Sequence, residues 1–563
     1  MDNPISIALA QLNPHLGNIA ANRDKLIEAR AKAANAGAAM IVTPEMFLAG
    51  YPCDDLVLRK DFMTEIAEAL SVLAKATNDG GPAIIVGAPH GEDGHIYNSV
   101  FVMDGGEIIA RRDKVNLPNY GVFDDKRNFT AGQLPGPVML RGLKLGIPIC
   151  EDIWTPDVVE CLAESGADLI LSINASPFDN AKSDQRMAHA VSRSIETDLP
   201  VIYVNMVGGQ DELVYDGGSF ALNKGGKLAA HLPSFSQEVT VVQIAETLGE
   251  IQLTGQITPP DQGDQAIYRG LMLGLRDYVE KNGFPGVVLG LSGGIDSALV
   301  AAVAADALGS ENVHCVMMPS PYTSQESLDD AADLAARFGM PLDSISIAPA
   351  MAAMDDMMAD QFAGTKPGIT EENIQSRLRG LILMGISNKH GSMVLATGNK
   401  SEYAAGYSTL YGDMCGGFAP IKDVWKVKVF DLCRWRNKNL PRGAAGPKGE
   451  VMPVRIIEKP PSAELRPDQK DTDSLPPYER LDAIMAAICE EMADIETIIA
   501  RGHDQEEVTR ACQLLFRAEY KRFQAAPGPK VTPLAFGRER RLPLTSGYNP
   551  LNTSISPALS KES

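Results

Sequence analysis

The sequence predicts an α/β protein built from at least two domains, and three observations carry that reading. Its 563 residues exceed what a single hydrophobic core organises. From about residue 5 to 240, short β-rich runs alternate with amphipathic helices, the pattern of a sheet core covered by helices. After Leu248–Gln265, rich in Gly, Pro and Gln, a second β/α series begins around a glycine-rich turn.

In the first series, Ile5–Ala10, Met40–Thr43, Ala83–Gly87, Ser99–Met103, Leu143–Ile149, Leu169–Asn174 and Val201–Asn205 read as strands. Asn22–Asn35, Phe62–Ala76, Pro156–Ser165 and Ser183–Thr197 read as helices. The second series opens with the helix Ala266–Asn282. Its strands fall near Val287–Leu289, Val313–Met317, Ser344–Ile347 and Met393–Ala396, and Thr370–Lys389 is a long amphipathic helix. Asn437–Pro477, dense in Pro, Gly and charge, reads as a long loop that is mobile when empty. Helices Leu481–Met492 and Gln505–Arg522 follow, and the tail beyond Pro543 has little periodicity. The expected organisation is a first domain over 1–245, a linker over 246–264, a second domain over 265–543 and a tail over 544–563.

Composition narrows the function. A net charge of −21 argues against a nucleic-acid partner, whose phosphates are gripped by surplus Lys and Arg. The 8 cysteines are scattered, with no CxxC pair or Cys/His cluster, which speaks for a reducing compartment and against zinc or a disulfide scaffold. The start MDNPISIALAQLNP lacks a basic segment and a cleavage site. Ala298–Leu308, the most apolar helical stretch, is too short to span a bilayer and carries Asp306. A cytoplasmic protein without a membrane partner is the expectation.

Gly290–Ser297 reads GLSGGIDS. The apolar run Gly286–Leu289 precedes it and the amphipathic stretch Ala298–Leu308 follows, giving strand, turn, helix. Such a turn offers backbone N–H groups and a helix N-terminus to an anion, usually phosphate. It is no Walker A loop, because GxxxxGK[ST] is absent. A glycine pair alone would make a plain turn; Ser292, Asp296 and Ser297 around Gly293-Gly294 favour an anion site. The motif SGGxDS resembles the loop of the ATP pyrophosphatases, which implies ATP cleaved between its α and β phosphates.

Three segments of the first half stand out, two of them at strand ends, where active groups tend to sit. They are Thr43-Pro44-Glu45, the run Arg112–Tyr120 containing Lys114, and Leu145–Asp152 with Cys150 at the turn. A cysteine near a helix N-terminus and a cation is expected to be partly thiolate, the nucleophile for attack on a carboxamide. A carboxylate moves protons, and a cation stabilises an oxyanion. Taken singly, each has a packing or capping explanation. Together, residues 1–240 resemble the nitrilase, or carbon–nitrogen hydrolase, superfamily. That resemblance implies an α-β-β-α sandwich, with Glu45 as general base, Lys114 as transition-state stabiliser and Cys150 as nucleophile. It also implies that Tyr120, Ser176 and Lys182 hold glutamine. Where family members show Phe-x-Glu-x-Arg, this chain has Phe123-Asp124-Asp125-Lys126-Arg127, so an auxiliary carboxylate would come from Asp125, one methylene shorter.

In the second half, Asn373 and Arg377 lie on one face of the helix Thr370–Lys389, and by pattern alone that face is solvated. The polar turn Thr397–Glu402 follows a strand, where ligands of open α/β sheets bind. SGGIDS, ENIQSR, LATGNKSE, GYSTLYGD and KPPSAEL occur in an order that resembles the NAD synthetases over about 265–545. The whole chain thus resembles the glutamine-dependent members of that family. The resemblance implies a Rossmann-like, doubly wound parallel sheet. ATP would bind at Gly290, Leu291, Ser292, Gly293, Gly294, Ile295, Asp296, Ser297 and Thr397, and deamido-NAD at Asn373, Glu402 and Lys521. Asp296 and Glu402 would hold Mg²⁺. No role follows for Arg442–Gly449. The expected reaction adenylates the nicotinate carboxylate and displaces AMP with ammonia from glutamine, moved through an enclosed passage in a homo-oligomer. The alternative is another amidotransferase with the same ATP loop, acting on a different carboxylate or a nucleobase; ENIQSR and KPPSAEL speak against it.

Overall fold

Successive side chains of the first strand, Ile5–Gln11 (β1), face two different cores. Ile7 and Leu9 join one buried cluster, Ala8 and Ala10 another. That is why β1 reads as a continuous apolar run and not an alternating one. The computed structural model describes residues 5–180, 182–247, 250–467, 469–473, 475–548 and 550–551, and the chain divides into two units, Met1–Gln262 and Gly263–Ser563.

In the first unit, β1 is joined by Met40–Val42 (β2), Ala83–Glu92 (β3), His95–Asp104 (β4) and Glu107–Asp113 (β5). A second sheet takes Val138–Leu140 (β6), Leu143–Gly146 (β7), Leu169–Asn174 (β8) and Val201–Asn205 (β9). The hairpin Val207–Gln210 (β10) and Leu213–Asp216 (β11) leads to Phe220–Asn223 (β12), Lys227–His231 (β13), Glu238–Thr247 (β14) and Glu250–Thr254 (β15). The sheet orders are β15-β14-β1-β2-β3-β4-β5 and β13-β12-β9-β8-β7-β6. Ile85, Val100 and Val102 meet Leu145, Leu171 and Ile202 between the sheets. Helices Ile19–Asn35 (α1) and Lys60–Ala76 (α2) cover the first sheet through Leu26, Ile66 and Leu73. Helices Pro156–Glu164 (α3) and Lys182–Thr197 (α4) cover the second through Val158, Leu162 and Ala190. The result is the α-β-β-α sandwich. The stretch expected as a linker, 246–264, is not all linker: it includes β15, an edge strand paired antiparallel with β14.

The second unit carries a parallel sheet of Val287–Gly290 (β16), Val313–Met317 (β17), Leu342–Ser344 (β18) and Met393–Val394 (β19), in the order β18-β17-β16-β19. The chain steps one way from β16 to β18, then returns to place β19 on the other side of β16. That reversal opens a crevice at the C-terminal ends of β16 and β19, where open α/β sheets bind ligands. Its helices are Gly263–Lys281 (α5), Ile295–Leu308 (α6), Gln325–Phe338 (α7), Ala348–Met358 (α8), Ile369–His390 (α9), Lys400–Ala405 (α10) and Lys426–Lys438 (α11). Beyond them, Tyr478–Cys489 (α12) and Gln505–Arg517 (α13) share a core of Leu481, Met485, Val508 and Leu515 with Tyr403.

Several expectations change here. The helix read as amphipathic over Ala298–Leu308 is buried all round, because α5, α7 and α11 pack on it. Asp306 within it is paired with Arg436, at 2.6 and 2.9 Å, and accepts a hydrogen bond from the Tyr268 hydroxyl at 2.7 Å. Arg442–Gly449 buttresses that pair: Ala445 N–H donates to Asp306 O, and Arg436 Nη2 donates to Pro447 O at 2.7 Å. The strand expected over Ser344–Ile347 ends at Ser344, since Pro349 starts α8 and Ile347 turns into the core. Gln505–Arg522 is two helices, with Arg522 turned inward to the carbonyls of Tyr403 and Ala404. The long loop Asn437–Pro477 contains the short helix Val454–Glu458.

Candidate active sites

In the first unit, Glu45 follows β2, Lys114 follows β5 and Cys150 follows β7, so three strand ends deliver the three groups. All three are buried. Lys114 Nζ donates to Glu45 Oε1 and to Asp125 Oδ2, each at 2.8 Å. Asn98 Nδ2 donates to Glu45 Oε1 at 2.7 Å, and the Ala175 N–H to Oε2 at 3.0 Å. The Tyr51 hydroxyl donates to Asp125 Oδ1 at 2.8 Å. The shorter Asp125 side chain thus reaches the lysine. Burial alone would discharge Lys114, but Asp125 and Glu45 together hold its pKa well above the usual lysine value.

The turn that presents Glu45 depends on β3. A Cβ on Gly87 would lie 2.4 Å from Met46 N and 2.7 Å from Pro44 O, so no larger residue fits against this backbone. Cys150 adopts φ +48° at the start of a 3₁₀ turn, a conformation that non-glycine residues hold only when their surroundings enforce it. Asp152 supplies part of that enforcement. Its Oδ2 accepts the Ile149 N–H at 3.0 Å, and its Oδ1 accepts the N–H groups of Val115 and Asn116 at 3.1 and 2.7 Å. One carboxylate therefore ties the cysteine turn to the lysine loop.

The expectation of a partly ionised cysteine is corrected. Burial first, and the Glu45 carboxylate next, push the Cys150 thiol well above its ordinary range, against smaller pulls from Lys114 and the Ala175 N–H. The resting thiol keeps its proton, and a base must remove it.

Of the residues expected to hold glutamine, Tyr120 is exposed and donates to both oxygens of Glu151 at 3.0 Å. The Lys182 ammonium lies over the rings of Phe123 and Trp154, 5.0 and 5.7 Å from their centroids. Glu151, half-buried between these groups, has its pKa raised by desolvation. Ser176 is buried, and its Oγ accepts from Arg186 Nε at 3.1 Å. Pattern reading missed Asn98, Ala175 and Asp152, which carry no motif; only their position against Glu45, Lys114 and Cys150 reveals them.

In the second unit, a cavity of about 380 Å³ opens at the sheet's switch point. Gly290, Leu291, Ser292 and Thr397 line it, and so do Asn373 and Lys521. Gly293 has φ +80°, and a Cβ there would lie 2.2 Å from Ser327 O. Ser292 Oγ accepts the Gly294 N–H at 3.2 Å and Ser297 Oγ donates to Gly294 O at 3.0 Å, so the loop's own serines close it. Ile295 and Ser297 are buried in the first turn of α6. The face bearing Asn373 and Arg377 is not simply solvated: Thr409 Oγ1 donates to Asn373 Oδ1 at 2.8 Å, and Arg377 Nε to Leu410 O at 3.2 Å. Lys521 Nζ donates to the carbonyls of Gly406 and Ser408, each at 2.7 Å.

Asp296 and Glu402 lie beside one another around a residue the sequence did not flag, Lys426. Its buried ammonium pairs with Asp296 Oδ2 and lies 3.7 Å from Glu402 Oε1. Asn399 spans the two: its Nδ2 donates to Asp296 Oδ1 at 2.9 Å while its Oδ1 caps α10 through the Glu402 N–H at 3.1 Å. Burial, then the charge of Asp296, holds the Glu402 pKa well above the usual carboxylate value. Two carboxylates that repel each other suit a cation completed by nucleotide phosphates, which is how Mg²⁺ is commonly held. Among the described residues no cluster of three or more metal-binding side chains forms an all-protein cage.

Comparison with known proteins agrees with this division. Residues 6–252 match the carbon-nitrogen hydrolase family and residues 267–525 the NAD synthase family. The chain is 49% identical to the glutamine-dependent NAD(+) synthetase of Rhodobacter capsulatus over 97% of its length and 99% of the relative's. It is 41% identical to that of Thermotoga maritima, over 97% and 99%. A structure of the Acinetobacter baumannii glutamine-dependent NAD+ synthetase in complex with ADP superposes with a TM-score of 0.78 at 41% identity, covering 96% of this chain and 98% of that one. A Cytophaga hutchinsonii structure, 23% identical, shares the fold with a TM-score of 0.82 over 98% and 99%. The chain therefore belongs to the glutamine-dependent NAD(+) synthetase family, ligases that carry a carbon–nitrogen hydrolase part and an NAD synthase part on one polypeptide.

Proposed function

We propose that this chain makes NAD from deamido-NAD, with ATP activating the acceptor carboxylate and glutamine supplying the nitrogen. The observation that carries the glutaminase half is the buried Glu45–Lys114–Asp125 cluster beside Cys150, whose thiol burial and Glu45 push up. Glu45 takes the Sγ proton as the sulfur bonds to the side-chain carboxamide carbon of glutamine. The Lys114 ammonium stabilises the oxyanion. Collapse breaks the C–N bond, Glu45 returns the proton to the departing ammonia, and water then hydrolyses the thioester with Glu45 as base again. Tyr120, Ser176 and Lys182 are proposed to hold glutamine, with Glu151 facing its α-ammonium.

For the second half, the Acinetobacter baumannii relative has a structure in complex with ADP, which supports adenine-nucleotide binding; ATP is proposed to lie at Gly290–Ser297 and Thr397, on the motif and on the cavity that Gly290, Leu291, Ser292 and Thr397 line. Asn373 and Lys521, which line the same cavity, and Glu402, which does not line it but lies in α10 beside Asp296 and Lys426, are proposed to hold deamido-NAD. The nicotinate carboxylate attacks the α-phosphorus and pyrophosphate leaves; ammonia then attacks the acyl carbon and AMP leaves. Backbone N–H groups at the α6 N-terminus favour the phosphate charge. Asp296 and Glu402 would hold Mg²⁺, which neutralises phosphate charge when bound. All 8 cysteines are free, which supports a reducing compartment, the cytoplasm. No helix among the described residues is long and apolar enough to cross a membrane. A homo-oligomer is proposed on family grounds, to be checked by sedimentation.

Incubation with ATP, deamido-NAD, Mg²⁺ and glutamine should yield NAD, AMP, pyrophosphate and glutamate. Release of ADP in place of AMP would overturn the proposed ATP chemistry. Cys150→Ala should lose glutamine-supported synthesis and keep ammonia-supported synthesis.

A further inference from the structure

Asn98 lies in β4, opposite Pro89 of β3, and is wholly buried. Its Nδ2 donates to Glu45 Oε1 at 2.7 Å, and its main-chain carbonyl accepts the Lys114 N–H at 2.8 Å. One residue thus touches the side chain of the proposed base and the backbone of the proposed stabiliser. Its Oδ1 has no partner among the described residues. A buried acceptor left unpaired costs ~1–3 kcal/mol, which an apolar side chain of similar shape would not incur, so packing alone does not account for an amide here.

The geometry states what the amide does. The N–H donates to a carboxylate oxygen, and a flipped amide would set two acceptors against each other, so the hydrogen bond to Glu45 fixes this orientation. Glu45 then has three donors: Lys114 and Asn98 on Oε1 and the Ala175 N–H on Oε2. Lys114 is shared with Asp125, and Ala175 also faces the Cys150 sulfur. Among the described residues, Asn98 is therefore the one side-chain donor committed to Glu45 alone. We propose that Asn98 is a positioning residue for glutamine hydrolysis, holding the Glu45 carboxylate aimed to take the Cys150 proton. The inference rests on the reading of Glu45 as the base.

Other ionisable groups around Glu45 do not substitute for it. Tyr51, Tyr215 and Cys53 are pushed far up by burial and stay neutral. Lys114 stays charged, and Asp125, Cys150 and Glu151 add only negative charge or a neutral thiol. The two neighbouring hydroxyls are already committed, Tyr51 to Asp125 Oδ1 and Tyr215 to the Tyr51 carbonyl, so a variant that removes the amide N–H leaves Glu45 to Lys114 and the Ala175 N–H.

The test uses the full-length enzyme with Asn98→Asp, close to isosteric and placing a carboxylate against Glu45, and Asn98→Ala, which removes the donor. Glutamine hydrolysis is measured against pH, with ammonia-supported synthesis and a thermal unfolding trace as checks on folding. The expected result is a kcat at least about tenfold lower in both variants, with the KM for glutamine little changed. The acid limb of the profile should move up by about one pH unit or more in Asn98→Asp. A rate loss with an unmoved acid limb in Asn98→Asp, a loss in Asn98→Ala that lies in the KM for glutamine and not in kcat, or a wild-type rate in either variant overturns the proposal. Wild-type enzyme that fails to hydrolyse glutamine, or a Glu45→Gln variant that still does so at the wild-type rate, would instead remove the reading on which it stands.

Discussion

Asp125→Asn isolates a charge while keeping a shape. Asp125 is 4% exposed and has two side-chain partners, Lys114 on Oδ2 and the Tyr51 hydroxyl on Oδ1, both at 2.8 Å. In the amide, the remaining oxygen must face Lys114, which can only donate, and the new NH₂ faces Tyr51, whose hydroxyl can turn to accept. Both contacts survive, so the fold should lose little. What is lost is one of the two negative charges that keep the buried lysine protonated. A hydrogen bond between charged groups contributes ~1.5–3 kcal/mol. At ~1.4 kcal/mol per decade, glutamine hydrolysis should fall by about 10- to 150-fold. Glutamate release and ammonia-supported NAD formation, measured on the same preparation, separate the halves: the first should drop and the second hold. Asp125→Glu should also lose activity, although it restores the residue common in the carbon–nitrogen hydrolase family. Its extra methylene enters a buried site already at hydrogen-bond distance, where overpacking costs ~1–3 kcal/mol. Wild-type glutamine hydrolysis by Asp125→Asn would refute the electrostatic account of Lys114.

Three further outcomes are expected. In Glu45→Gln, the charge that raises the Cys150 thiol is gone, so thiolate forms at lower pH; iodoacetamide should modify Cys150 with a profile shifted to lower pH even as glutamine hydrolysis falls by about 100-fold or more. Gly293→Ala should abolish synthesis with either nitrogen source and lose nucleotide binding by calorimetry, since its Cβ would meet Ser327 O at 2.2 Å in a backbone of φ +80°. Asp482 is pushed up to about 6 by burial, so the folded state binds a proton the unfolded state has released between pH ~4 and ~6, and its contribution to stability declines as pH rises through that window, by about 3 kcal/mol in all; thermal unfolding of Asp482→Asn against wild type should show the variant gaining relative stability from pH ~4 to ~6, and a constant difference would refute it.

What the sequence disclosed and withheld follows from how far apart the interacting residues lie. Period and β-propensity act within a few residues, so β8 and β9 are legible to their ends and the strand before Glu45 to within one residue; β5, which Lys114 follows, is not read as a strand, and β7 ends at Gly146 where the sequence suggests Ile149. The same local view misjudged α6, because the helices that bury its outer face come from remote segments, α5 and α11. It stopped the first domain short of β15, whose polar, glycine-flanked residues look like a linker and become a strand only by pairing with β14. The site divides in the same way. Motif residues are legible because their chemistry is unusual for their surroundings. Their supports are ordinary residues made functional by distance: Asn98 reaches Glu45 across 53 positions, and Lys426 reaches Asp296 across 130. The state of Cys150 shows the consequence. Lys114 and the following turn argue for a thiolate when seen alone, but burial and Glu45 outweigh them once the sandwich closes. On the proposed reading, the buried carboxylate beside the thiol does not activate it by charge; it accepts the sulfur's proton as attack on the carboxamide forms the oxyanion beside Lys114, and each donor on Glu45 then bears on how that carboxylate is aimed.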